Sequence, residues 1–412
     1  MGDTVALQIA RLGAQGDGVA DTSSGPVYVP YVLPGEAVQA DVRGERGRLI
    51  AVLNPSPERV APLCRHFTHC GGCALQHLER TAYIAWKREQ VVAAFAARGI
   101  EAPVAHVVTV GPGARRRATF SARRTGRGIV LGFYEAKGQE IVDLNECPVT
   151  ASAIVKALPA LKRLVEPLVG RRLPVRLAVT LAANGLDVAI EDVPGELSPE
   201  VRQWLAHAAQ SAGIARITIA GDTLYQRTVP AVRFGTANVV LPARAFLQAA
   251  PAAEAEMMRL ITTALAPAKR IADLFCGLGT FTFPLAANAK VFAVDGDRDA
   301  VAALANAAKR TPGLKPIETK VRDLFREPLS PRELTGFDAV VFDPPRAGAA
   351  SQAVALANSP AKIIAAVSCN PATLARDARI LIDGGFALER VTPIDQFLFS
   401  PHVEAVAVFR RG

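Results

Sequence analysis

The chain has 412 residues, 50% of them apolar, with a formal net charge of +9 and a pI of about 9.5. That length implies two or three domains with ample core. No run approaches the roughly 18 apolar residues that span a bilayer, so no membrane-spanning helix is expected. The opening stretch "MGDTVALQIARLGAQGDG" has an early Asp and no apolar core. It does not read as a signal peptide, and the cytoplasm is the expected compartment. The basic balance suits an anionic partner such as nucleic acid, or simply a basic surface; composition does not separate the two.

Residues 1–55 are short β-type runs broken by Gly and Pro, a pattern that predicts a small antiparallel barrel of OB-like shape. Pro55, Pro57 and Pro62 mark a linker. Cys64, Cys70 and Cys73 follow, with Gly71-Gly72 permitting a tight loop and Cys147 lying far downstream. Four cysteines in this arrangement point to a metal site. By ligand type it takes zinc or a [4Fe–4S] cluster, and one trio with a distant fourth favours the cluster. His66, His69 and His77 are further ligand candidates, although solvation or packing is the commoner role of such residues. The stretch "TAYIAWKREQVVAAFAARGI" carries Ile84, Val91, Val92 and Phe95 at helical spacing and Gly99 as a C-cap. Residues 115–145 read as strands crowded with Arg115, Arg116, Arg117, Arg123, Arg124 and Arg127, which either contact phosphates or form a solvated edge. Phe120 and Phe133 among them suit core packing better than base stacking. From about residue 240 strands alternate with helices, which predicts a parallel sheet covered on both faces.

Three motifs in that last part carry chemistry. "DLFCGLG" at 273–279 ends a strand and opens a helix, and the next strand ends in Asp295, where a carboxylate can accept from ribose hydroxyls. Thr282 stands where a dinucleotide fold has its third glycine, so a ligand without a pyrophosphate, such as S-adenosylmethionine (SAM), fits better. Asp343-Pro344-Pro345-Arg346 follows the strand "FDAVVF" and presents Asp343 at the ligand crevice of an open α/β sheet. "VSCNP" places Cys369 at the end of the following strand. Buried, inert cysteine is the commoner case. A thiolate there could instead add to C6 of uracil, making C5 nucleophilic toward an electrophilic methyl group. Glu404, in "SPHVEAVAVF", is the candidate base for the C5 proton; its ordinary alternative is an exposed strand-edge acid.

Together these motifs resemble the RNA uracil-5-methyltransferase family over nearly the whole chain. The resemblance implies three parts: a TRAM RNA-binding β-barrel at 1–55, a central mixed α+β iron–sulfur domain at 56–236, and a C-terminal Rossmann-like α/β methyltransferase domain at 237–412. It further implies that the helix at about 81–98 packs on the last of these. Cys64, Cys70, Cys73 and Cys147 match the family's [4Fe–4S] ligands. "FLQ" gives Gln248 as a SAM contact, joined by Phe275, Thr280, Asp295, Asp323 and Asp343; Cys369 is the nucleophile and Glu404 the proton acceptor. Ala250 and Thr280 stand where the family often has Asn. The barrel and the cluster together look most like the 23S rRNA subgroup, with tRNA as the alternative substrate, and a monomer is expected. Two rival functions are a non-catalytic RNA-binding protein with a redox-sensing cluster, and an Asp-Pro-Pro amino-methyltransferase, which needs no cysteine.

Overall fold

The computed structural model describes residues 3–193 and 195–412. The N-terminal block forms a six-stranded sheet from Asp3–Gln8 to Arg46–Asn54, closed over a small core that includes Val29, Val38 and Ala40. The middle of the chain builds a second six-stranded sheet. Its strands run in the order Asp222–Gln226, Arg216–Ile219, Gly185–Glu191, Val175–Ala182, Arg117–Thr125, Gly128–Gly132. The helices Ser152–Leu164 and Pro199–Ser211 contribute Ile154, Leu158, Leu161 and Leu205 to the core under it. Phe120 is buried in that core, with the Phe133 ring 5.1 Å away, so both aromatics pack rather than await a base.

The C-terminal part is an eight-stranded sheet. Ile317–Val321, Lys290–Asp295, Arg270–Leu274, Ala339–Phe342 and Ile363–Ser368 are parallel neighbours in that order. Glu404–Arg410 then pairs antiparallel with Ile363–Ser368, and Ala387–Asp395 antiparallel with Glu404–Arg410. The inner strands "AVVF" and "IIAAVS" are buried at every residue, as expected of parallel strands covered on both faces. The last place in the sheet is taken by Val108–Thr109, from the first third of the chain.

The helix Arg80–Ala96 precedes that short strand. Glu79 starts it by accepting from the amides of Thr81 and Ala82. Tyr83, Trp86, Lys87, Val91 and Phe95 recur at three- and four-residue spacing on its buried face. Val91 and Phe95 enter the core of the parallel sheet. Tyr83 and Trp86 join Leu33 of the first block, Leu75 of the cysteine-bearing loop and Leu398. This small cluster is where all parts of the molecule meet. Among the described residues no helix is long and apolar enough to cross a membrane.

Candidate active site

The strand order reverses between Arg270–Leu274 and Ala339–Phe342, which opens a crevice at the carboxyl ends of the parallel strands. Past Leu274 the backbone turns through positive φ at Phe275, Gly277 and Gly279. At Gly279 a Cβ would lie 2.7 Å from the Phe283 ring, so only glycine lets the loop press onto the helix Thr282–Ala286. In 273–280 only Phe275, Gly277 and Thr280 are half-exposed; the rest are buried. Asp295 steadies this loop by accepting from the amides of Gly277 (2.8 Å) and Asp297 (2.7 Å), and its oxygens keep further lone pairs free for a ligand. Asp323 is exposed and accepts from the amides of Phe325 and Arg326. It joins the same rim because the Arg322 amide donates to the Asp295 carbonyl, and the Phe325 ring lies 5.4 Å from that of Phe275.

A chain of side-chain amides crosses the floor of the crevice. Gln248 Nε2 donates to Asp343 Oδ2 at 2.9 Å, and Gln248 Oε1 accepts from Gln396 Nε2 at 3.0 Å. Gln396 Nε2 also donates to Glu404, while its Oε1 accepts from the Ala249 amide. Sequence reasoning missed Gln396, whose only signal is a lone amide closing an apolar strand. It also missed Asp273, whose buried carboxylate accepts from Thr282 Oγ1 at 2.5 Å through one oxygen and has no partner at the other. Ala250, where the family often has Asn, is buried as the N-cap of the helix Pro251–Ala264 and lends it no side-chain bond.

Cys369 and Glu404 are brought together by strand register. Ser368 pairs with Ala405, so the next residues outward, Cys369 and Glu404, stand side by side at the ends of neighbouring strands. Glu404 is buried on an interior strand, which rules out the strand-edge reading. Burial, and then the nearby Asp343, hold its carboxyl well above the ordinary value. Burial likewise lifts Asp273 and Asp343 to about 7. The Cys369 thiol is pushed up to about 11 by burial, then by the charges of Glu404 and Asp343; Arg346 opposes them. Cys369 directly precedes Asn370, the N-cap of the helix Pro371–Asp383, whose dipole also favours a thiolate there.

The arginine-rich strand divides. Arg116 is buried, donating to the Gln248 carbonyl and pairing with Glu254, so it holds Gln248 in place and is not a phosphate ligand. Arg117 lies 4.1 Å from the ring centroid of the exposed Phe246. Arg123 pairs with Glu140, and Arg124 donates to the carbonyls of Glu166 and Val169.

Cys64, Cys70, Cys73 and Cys147 are all free and half-buried. They share one locality: the charges of Cys147, Cys70 and Cys64 all oppose ionisation of Cys73, whose thiol burial pushes up to about 12. Among the described residues no group of three or more His, Cys, Asp or Glu side chains is set to hold a metal ion. His66 bonds Asn145, and His77 is buried against the rings of Phe67 and Tyr31. Beside the cysteines a cleft of about 1490 Å³ separates the N-terminal block from the central sheet. Arg43, Arg46, Arg48 and Lys137 line it against Asp17, Asp41 and Glu135, and one end reaches Pro401, three residues before Glu404.

Residues 241–411 match the family model described as tRNA (uracil-5-)-methyltransferase. A Caulobacter vibrioides protein described as an uncharacterized RNA methyltransferase is 49% identical, over 98% of this chain and 99% of its own. The 23S rRNA (uracil(1939)-C(5))-methyltransferase RlmD of Halomonas elongata is 35% identical over 97% of this chain and 88% of its own. In fold, the chain is similar to the Pyrococcus abyssi tRNA (uracil-54, C5)-methyltransferase solved with S-adenosyl-L-homocysteine. The TM-score is 0.76 at 23% identity, covering 98% of this chain and 100% of the other.

Proposed function

This chain belongs to the RNA uracil-5-methyltransferase family, and we propose that it methylates C5 of a uridine in 23S rRNA through a covalent bond between Cys369 and C6. The observation that carries this reading is the Ser368–Ala405 register, which sets a thiol and a carboxyl side by side at the crevice next to Asp343. An amino-methyltransferase has no use for that pair, and neither has a non-catalytic RNA binder.

SAM supplies a methyl group on a sulfonium cation. The crevice suits a cation: Asp343 and Asp295 provide carboxylates, Phe275 and Thr280 are open beside them, and Gln248 orients Asp343. Asp323 extends the same rim. The Cys369 thiol loses its proton to solvent and adds as the thiolate to C6 of the uracil; the electron pair displaced onto C5 and O4 lets C5 take the methyl group from the sulfonium, which leaves as a neutral thioether. C5 then carries both hydrogen and methyl. Glu404 removes the hydrogen as a proton, the C5–C6 double bond re-forms, and the thiolate leaves. The Gln396 amide fixes the direction from which Glu404 acts.

RNA enters along the basic cleft beside the N-terminal block, which we read as a TRAM barrel, because the cleft is lined by Arg43 and Arg46 and by Pro401, in the loop that leads into the strand of Glu404. Cys64, Cys70, Cys73 and Cys147 hold a [4Fe–4S] cluster in this reading. Four unpaired thiols in one locality, with Cys147, Cys70 and Cys64 all opposing the ionisation of Cys73, form a donor set that suits a cationic centre. Anaerobically purified protein should then contain iron and sulfide and absorb broadly in the visible. Colourless protein with one equivalent of zinc would overturn this part.

Glu404→Gln tests the mechanism. The variant should lose about 10²–10⁴-fold in turnover and stall as a SAM-dependent covalent complex with methylated RNA, seen on a denaturing gel. Cys369→Ala should abolish both the complex and methylation. A Glu404→Gln enzyme that turns over at the wild-type rate places the base elsewhere. Mapping 5-methyluridine in a deletion strain checks the substrate, and a loss confined to tRNA would replace 23S rRNA by tRNA.

A further inference from the structure

Lys87 is fully buried, an unusual place for a lysine. It comes from the helix Arg80–Ala96 and lies 5.3 Å from the centroid of the Tyr83 ring, yet its ion-pair and hydrogen-bond partners among the described residues are Asp395, Phe397 and His402, far along the chain. Nζ stands 2.8 Å from Asp395 Oδ1, an ion pair off the line of a hydrogen bond. Its protons go to the carbonyls of His402 and, at 3.4 Å, Phe397. Tyr83, one turn earlier, donates to Asp395 Oδ2 at 2.7 Å and accepts from the Phe399 amide at 2.8 Å. The Phe399 carbonyl accepts in turn from the amides of Ala74 and Leu75, next to Cys73. Phe399 sits at positive φ, a conformation its neighbours must enforce.

These bonds fasten both ends of the segment that delivers the base. Asp395 adjoins Gln396, which donates to Glu404, and His402 lies two residues before Glu404. Neither Lys87 nor Tyr83 hydrogen-bonds Glu404, Asp343 or Gln248. We propose that Lys87 and Tyr83, acting through Asp395 and the 397–402 segment, are positioning residues that set the approach of Glu404 to the C5 proton. The proposal rests on the reading of Glu404 as proton acceptor. It assigns the two residues to one step: addition of Cys369 and methyl transfer precede it, and only proton removal and release depend on it.

The test uses the full chain, labelled SAM and total RNA from a strain lacking the gene. Tyr83→Phe removes one oxygen, and Lys87→Met removes the ammonium while keeping the stem. Both should bind SAM within twofold of wild type. Turnover should fall about tenfold, equal to about 1.4 kcal/mol in the barrier, while the steady-state covalent RNA complex rises at least about fivefold. Adding Cys369→Ala should remove that complex. A residue needed only for folding would lower turnover and complex together, so a fall in turnover without a rise in complex overturns the proposal, as does wild-type turnover in Tyr83→Phe. If Lys87→Met does not fold, Tyr83→Phe decides alone. Glu404→Gln is run beside them. If it forms no complex, the base assignment fails and the proposal falls with it; if it does and Tyr83→Phe does not, only the positioning role is lost.

Discussion

The crevice and the cleft deal with charge in opposite ways. In the crevice Asp273, Asp343 and Glu404 are desolvated, and each is held above its ordinary value. In the cleft Arg43, Arg46 and Arg48 keep 74%, 66% and 76% of their side-chain surface exposed. Buried charge acts at short range on one small ligand and is costly until that ligand arrives. Exposed charge acts over about a Debye length and is screened by salt. In the proposed mechanism a small sulfonium cation and a long polyanion therefore use separate surfaces of one chain. The cleft lining includes Pro401, three residues before Glu404, so the two surfaces come close at the proposed proton acceptor.

The strongest way to break this comparison is to neutralise the cleft. Arg43→Ala, Arg46→Ala and Arg48→Ala together should weaken RNA binding about 100-fold at low salt. They should also lower the log–log salt slope by about 2, at about 0.7 per phosphate contact in single-stranded RNA. SAM affinity, measured by calorimetry, should not move; if it does, the surfaces are not separate. A smaller effect lies in the pH dependence of SAM binding. Without ligand Asp343 is mostly protonated below about 7. A bound cation favours the carboxylate, so binding below that pH must release a proton. SAM affinity should be about tenfold lower at pH 6 than at pH 8 and level above that, and Asp343→Asn should flatten the profile. RNA binding should lack this step. The smallest expected change is that of Asp295→Ala, which removes the proposed acceptor for a neutral ribose together with the bonds to the Gly277 and Asp297 amides. Two- to tenfold weaker SAM binding corresponds to the usual 0.5–1.5 kcal/mol. Wild-type affinity would remove Asp295 from the site.

Much of the crevice was legible in the sequence because strand ends carry it. A parallel sheet delivers the residues after its strands to one edge, so Asp295, Asp343 and Cys369 could be placed from motif position alone. Glu404 stands out as an acid opening an apolar strand, but its burial beside Cys369 depends on that strand lying inside the sheet, which no local pattern encodes. Gln396 and Asp395 look like the polar end of an apolar strand, and their partners are far away in the chain. Arg116 shows the reverse failure. In sequence it is one of a row of arginines, but just before the strand Arg117–Thr125 the extended chain turns it inward to Glu254 while Arg115 and Arg117 remain half-buried. Lys87 reads as the polar face of an amphipathic helix; that this face is covered by the C-terminal segment is a fact of tertiary packing only.

The bond between Tyr83 and Asp395 spans 312 residues of chain. At about 5–20 residues per second, ribosomal synthesis leaves the helix waiting roughly 15–60 s for its partner. During that interval Lys87 remains hydrated, and the N-terminal sheet can fold before the crevice exists. Contacts this distant in sequence form late, because loop closure must be met before they return anything. Glu404–Arg410 then enters the sheet between two strands that are both made before it. Affinity for RNA can therefore arise early on the nascent chain, whereas the proposed catalytic pair is assembled only after residues 395–410 have been made.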